Sequence, residues 1–167
     1  MEVSYANGGK LLVARNGSSA ADSEYIVGEL MKGVEVPGML KEEYRKRLDK
    51  VDEEMEKVLG DNLQGELPAI ALDVYFALST AYMSDCEPLL CFAQQVNGCD
   101  NEKAVFLGIS TSGNSKNILY AATVENVRGL KVIGLTGVKY SKLSAMVYIT
   151  IRLSLINLVL FMFDVRK

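Results

Sequence analysis

The chain of 167 residues contains no histidine. That absence removes the commonest general acid–base and the commonest zinc ligand together. Cysteine is scarce as well. Cys86, Cys91 and Cys99 are odd in number, and no pair has the Cys-x-x-Cys spacing. This argues against a disulfide framework or a structural zinc site, and the thiols read as reduced, in a cytoplasmic protein. Positive charge is not in excess: 18 Lys and Arg face 21 Asp and Glu, for a net charge of −3. Such a chain has no general electrostatic footprint for nucleic acid. The start, MEVSYANGGK, has an acidic second residue and no apolar core, so it does not read as a signal peptide. Nor is there a long unbroken hydrophobic run. Ala145–Phe163 is the most apolar stretch, but Arg152 interrupts it, and a membrane span needs about 20 residues. It reads as a buried strand followed by a buried helix, with no membrane partner.

What remains is the balance of a globular protein with a core, 49% hydrophobic and 23% charged. The length fits one domain, of the usual ~100–200 residues. Short apolar runs, Lys10–Ala14, Pro68–Leu72, Val105–Ser110, Lys131–Thr136 and Val147–Leu153, predict five strands. Helical patterns fill Ala20–Lys32 and Ser115–Arg128. Strands apolar on both faces and far apart in sequence imply a mainly parallel sheet with helical crossovers on both sides, a three-layer α/β/α sandwich. One segment differs. Of the seventeen residues from Lys41 to Lys57, thirteen are charged. Leu40, Tyr44, Leu48, Val51, Met55 and Val58 recur every three or four residues and predict one inserted helix at about 38–60 within a single domain, 1–167. It is either a surface helix with a solvated back or an arm packing on a partner subunit.

In open parallel sheets, ligands bind beyond the carboxyl ends of the strands. Two loops there have suitable contents: Arg15-Asn16-Gly17-Ser18-Ser19 after the first strand and Ser110-Thr111-Ser112-Gly113-Asn114-Ser115 after the third. The second offers four hydroxyls, a glycine able to turn its backbone amides inward, and the amide-rich start of a helix. Those groups suit a phosphate monoester; they also suit a Ser/Thr-rich helix cap with no ligand. The missing Gly-Lys-Ser/Thr ending sets the loop apart from a nucleotide-triphosphate P-loop.

Taken in order, NGGKLLVARNGSSAADSEYIVGELMKG, LPAIALD, FAQQV, FLGISTSGNSKNILYAA and KVIGLTG resemble the sugar isomerase (SIS) domain, and within it the phosphoheptose isomerases. The resemblance runs from about Tyr5 to Leu143 and implies a flavodoxin-like α/β fold. It further implies conversion of sedoheptulose 7-phosphate to a heptose phosphate and a homodimer or homotetramer. By position it assigns phosphate binding to Ser110, Thr111, Ser112 and Ser115, and sugar binding to Asn16, Gly17 and Ser18, backed by Ser19. The family's Asn-Asp pair reads Ser84-Asp85 here, and its acid–base glutamate falls at Glu29.

The departures from the family matter equally. Tyr25 stands where the family has a metal-binding His, and Arg15 and Ser18 stand where it has glycines. The C-terminal Gln-Glu-x-His segment and second His have no counterpart in LSLINLVLFMFDVRK, and the family's N-terminal helical region is absent. The family's zinc set is therefore incomplete, and no cofactor or metal is expected. Isomerisation needs a positioned base and a proton relay; losing one such group costs ~10²–10⁴-fold in rate. The expectation is a sugar-phosphate-binding isomerase of reduced or lost activity. The alternatives are a catalytically silent sugar-phosphate sensor and a protein-interaction module.

Overall fold

The computed structural model describes residues 1–17, 20–32, 38–99 and 101–154. By internal contacts the chain divides into two compact units, one formed by Met1–Val27 with the residues from Pro68 onward and one by Gly28–Leu67.

The first unit is built on a five-stranded parallel sheet. Its strands are β1 (Leu11–Ala14), β4 (Ala69–Ala71), β5 (Val105–Ser110), β6 (Lys131–Thr136) and β7 (Ile149–Arg152), in the order β4-β1-β5-β6-β7. β5 and β6 pair along their full length, from Val105 opposite Lys131 to Ser110 opposite Thr136. The strands are the ones the apolar runs predict, within two residues at each end. The helices are α1 (Glu2–Ala6), α2 (Ala20–Met31), which crosses the unit boundary, α5 (Phe76–Asp85), α6 (Cys91–Cys99), α7 (Lys116–Val127) and α8 (Lys142–Met146).

The layers follow from crossover handedness. The connection from β1 through α2 to β4 moves one way across the sheet, whereas β5–α7–β6 moves the other way. Right-handed crossovers therefore put α2 on one face and α7 on the opposite one. On the α7 face, Leu12, Ala14, Phe106 and Val132 pack with Phe92 and Val96 of α6 and Ile118, Ala121 and Ala122 of α7. Gly108 lets α7 approach: a Cβ there would lie 2.8 Å from the Ile118 side chain. Leu11, Val13, Leu107, Ile109 and Leu135 point to the other face and are also buried. Burying both faces of the central strands is what makes their sequence apolar without alternation.

β7 departs from the buried strand expected there. Among the described residues it pairs only with β6, its residues are half-buried or exposed, and Ile149 is 47% exposed. An edge strand has one neighbour and correspondingly less cover. The helix expected to follow, across Leu155–Phe163, lies outside the described residues. Cys86, Cys91 and Cys99 are unpaired thiols.

The second unit holds the charged segment. It forms two helices rather than the single one the stripe implies: α3 (Glu42–Asp49) and α4 (Glu53–Asn62). The break falls at Lys50–Asp52, because the Asp52 carboxylate accepts from the Met55 amide and starts a new helix. Arg45 ties the two together, with Nε 2.8 Å from Glu56 and Nη2 3.0 Å from Asp61. A short antiparallel ladder, β2 (Gly38–Met39) with β3 (Gln64–Gly65), closes the unit.

Candidate functional site

Strand order changes direction between β1 and β5, since the chain places β4 to one side of β1 and then β5 to the other. The crevice beyond the carboxyl ends of those two strands is the switch point at which open α/β sheets bind ligands. Both loops singled out in the sequence start there: Arg15 follows β1, and Thr111 follows β5.

The loop after β5 is held in a fixed shape. The hydroxyl oxygens of Ser110 and Ser115 share a hydrogen bond at 2.9 Å. Ser110 ends its strand almost fully buried, so its hydroxyl is oriented by the core beneath it. Gly113 has φ of +63°, a conformation that only glycine adopts without strain. It is also hemmed in, because a Cβ there would overlap the Ser141 side chain. The Ser112 hydroxyl accepts from the Asn114 amide at 3.2 Å, and the Asn114 side chain donates to the Ser112 carbonyl at 2.8 Å. The Gly137 amide donates to the Thr111 carbonyl, and the Leu143 amide to that of Gly113, each at 3.0 Å. The loop is thus strapped to the β6–α8 connection. Ser115 is the N-cap of α7, yet its side chain does not cap that helix. The Ile118 amide is taken by Asn117 Oδ1 at 3.0 Å, which leaves the Lys116 and Asn117 amides for another acceptor, at the positive end of the helix dipole.

The loop after β1 reaches across to α7. Asn16 Nδ2 donates to Asn117 Oδ1 at 2.9 Å, and Asn117 Nδ2 donates back to Asn16 Oδ1 at 2.6 Å. Gly17 follows in a left-handed conformation, φ +70°. Arg15, where the family has glycine, is 5% exposed and ion-paired with Asp22 on the first turn of α2. Burial lowers its pKa from the ordinary arginine value, while the Asp22 charge and hydrogen bond oppose that shift. The Ser23 hydroxyl contacts both oxygens of Asp73, just beyond β4, at 2.9 and 2.8 Å.

The structure therefore brings Asn16 and Gly17 to the same crevice as Ser110, Thr111, Ser112 and Ser115. Ser18 and Ser19 lie outside the described residues. Ser84 and Asp85 are exposed at the end of α5, and no hydrogen bond among the described residues joins them to either loop. Glu29 is half-buried near the end of α2, within the second unit. A cleft of about 510 Å³ flanks the β5 loop on its β6 side, lined by Thr111, Ser112, Asn114, Gly137, Lys139 and Tyr140 among others, with no carboxylate in its lining among the described residues.

Tyr25 offers a phenol in place of an imidazole, and among the described residues no three His, Cys, Asp or Glu side chains come together. Sequence reasoning passed over Asn117 although it closes the STSGNSKN string. An asparagine two residues into a helix gives no signal of a partner a hundred positions away. In the sequence Arg15 reads only as a residue standing where the family has glycine; its pairing with Asp22, seven residues on, is a tertiary fact.

No protein-family model matches the chain. Curated relatives do. The phosphoheptose isomerase of Nitratiruptor sp. is 38% identical over 128 residues, 77% of this chain and 54% of the relative. That of Helicobacter hepaticus is 36% identical over 143 residues, 86% of this chain and 60% of the relative. The chain thus spans little more than half the length of the curated relatives it matches. Among solved structures, the phosphoheptose isomerase from Neisseria gonorrhoeae superposes with a TM-score of 0.72 at 26% identity, covering 96% of this chain and 76% of that one. The Francisella tularensis phosphoheptose isomerase gives a TM-score of 0.70 at 31% identity, covering 95% of this chain and 71% of that one. With relatives at this identity and coverage, the chain belongs to the phosphoheptose isomerase family of SIS-domain sugar isomerases.

Proposed function

We propose that the crevice between β1 and β5 binds the phosphate of a sugar phosphate, with sedoheptulose 7-phosphate as the substrate class, and that turnover is reduced or lost. The observation that carries this reading is the β5 loop. A buried serine, a glycine at φ +63° and a helix start that its N-cap serine leaves uncapped converge without a carboxylate among them. Neutral hydroxyls and amides at a helix N-terminus stabilise a phosphate dianion without the repulsion a carboxylate would add. Asn16 and Gly17, and with them Ser18, Ser19, Ser84 and Asp85, are the proposed sugar-chain contacts.

Aldose–ketose interconversion moves a proton between adjacent carbons through an enediol, so it needs a base and a donor for the developing oxyanion. Glu29 is the proposed base. With no histidine anywhere in the chain, the second acid–base position has no imidazole to fill it. The incomplete ligand set, with Tyr25 where the family has a metal-binding His, supports the same reading, in which binding outlasts chemistry.

Titration calorimetry with sedoheptulose 7-phosphate, run beside a coupled assay for heptose-phosphate formation, tests both halves. Heat of binding with slow or no turnover is the expected result. No heat at millimolar ligand would remove the binding assignment, and turnover at an ordinary enzymatic rate would remove the claim of lost activity. Self-association as a homodimer or homotetramer is proposed with it, supported by the apolar exposure of α5.

A further inference from the structure

We propose that Asn117 is a positioning residue: its carboxamide clasps that of Asn16 across the β1–β5 crevice and locks the sugar-binding loop to the phosphate-binding helix. Among the described residues, the two Asn16–Asn117 hydrogen bonds are the ones that join these two loops. The pairing is reciprocal, each side chain giving one N–H and one oxygen. A reciprocal amide pair fixes both planes at once, whereas a single bond leaves either free to rotate.

The accounting of donors sets the role of each partner. A carboxamide has two N–H donors and an oxygen with two lone pairs. The Asn117 oxygen accepts from Asn16 and also from the Ile118 amide, at 3.0 Å. Its acceptor capacity is then filled, and it is fixed to the first turn of α7. Among the described residues Asn16 is bonded only to Asn117, which leaves one N–H and one lone pair. That leftover pair matches a sugar hydroxyl, which both donates and accepts. Asn16 is the group that meets the ligand, and Asn117 acts through it.

The backbone explains why a clasp is needed. Beyond Ala14, Arg15 leaves the sheet and is anchored by Asp22 on its own helix, and Gly17 is in a left-handed turn. Neither contact ties Asn16 to the β5 loop. Without Asn117, the phosphate and the sugar chain would be gripped by elements with no direct link at this point. The ligand would then lose the benefit of having both subsites preset.

The ligand part of this inference rests on the sugar-phosphate reading, and the clasp does not, so two readouts are used. The first is free of ligand. In ¹⁵N spectra of the intact protein, the Asn16 side-chain amide should be shifted and slowed in exchange, and Asn117→Ala should return it to the position of a free asparagine. An Asn16 amide unaffected by Asn117→Ala overturns the clasp. The second compares ligands by calorimetry. Asn117→Ala should weaken sedoheptulose 7-phosphate about tenfold, the loss of one positioned hydrogen bond, and leave inorganic phosphate within about twofold. Asn16→Ala combined with Asn117→Ala should bind no more weakly than Asn16→Ala alone. Additive losses, or an equal loss of inorganic phosphate, overturn the positioning role. If the wild-type protein binds inorganic phosphate but not the sugar phosphate, the substrate reading fails and the amide resonances still decide the clasp. Should Asn117→Ala not fold, Asn16→Ala read at the Asn117 amide makes the same test.

Discussion

Ser110 and Ser112 stand two residues apart in one loop but in different surroundings. Ser110 is buried and bonded to Ser115, whereas Ser112 is exposed and braces the Asn114 amide. A hydrogen bond to a charged group contributes ~1.5–3 kcal/mol, so Ser112→Ala should weaken sugar-phosphate binding roughly ten- to a hundredfold by calorimetry. Ser110→Ala should cost as much and also lower the melting temperature, because it strands the Ser115 hydroxyl. Glu29→Gln should abolish any isomerase activity in the coupled assay while binding changes little. Tyr5 offers a test independent of ligand. Its hydroxyl is buried without a hydrogen-bond partner among the described residues, and burial raises its pKa from 10.0 to about 12. A group whose folded pKa is raised gives its full contribution below the unfolded value. Stability should therefore hold up to about pH 10 and fall as pH rises through about 12. Denaturation of Tyr5→Phe across that range should show a flatter profile. At this scale the site was legible wherever residue type was itself the signal, as with Ser110, Gly113 and Asn16. It was illegible wherever the partner is distant, as with Asn117 for Asn16 or Asp73 for Ser23.

The elements that come from apolar runs were readable to within two residues, because a strand buried on both faces has no other way to be written. β5 and β6 match their runs residue for residue. The charged segment was misread for a physical reason. Val51 keeps the apolar stripe in phase through the turn between α3 and α4, so spacing alone cannot see the break. The signal was Asp52 ahead of Glu53 and Glu54, an N-cap followed by an acidic first turn. Asp52→Ala should destabilise α4 by ~1 kcal/mol, seen as earlier loss of amide protection in Glu53–Asn62 than in α7. Gly113 tests the β5 loop as a unit. An alanine there pays ~1–2 kcal/mol for left-handed backbone and meets Ser141 as well, so Gly113→Ala should lower the melting temperature by at least ~2–4 °C. It should cost phosphate binding too. Gly129 has φ +76° with open space around it, so Gly129→Ala should show the backbone part of that loss while phosphate binding stays intact.

At the scale of the whole molecule, the parallel sheet and its switch point follow from strand order, but the cover of the surface does not. α5 has no buried residue, although it reads FALSTAYMSD and is apolar enough for a core. Phe76 is 77% exposed, with Val74, Leu78 and Met83 also open to solvent nearby. An aromatic side chain buries ~150–250 Å², and leaving several such groups in water is unusual for an isolated chain. Burying that area at ~25 cal/mol per Å² supplies enough free energy to offset much of the cost of association. Two other apolar surfaces are candidates for cover, the Leu40–Val58 stripe and the Leu155–Phe163 tail. The tail lies outside the described residues, while the stripe does leave Val51, Met55 and Val58 exposed. The two surfaces can be separated by experiment. Sedimentation of the wild-type protein at micromolar concentration should give a species heavier than one chain, and Phe76→Glu should shift it toward monomer while Val51→Glu on the charged hairpin does not. A monomeric wild type would refute self-association. A response to Val51→Glu alone would move the interface to the hairpin, since a carboxylate disrupts only the contact it is buried in.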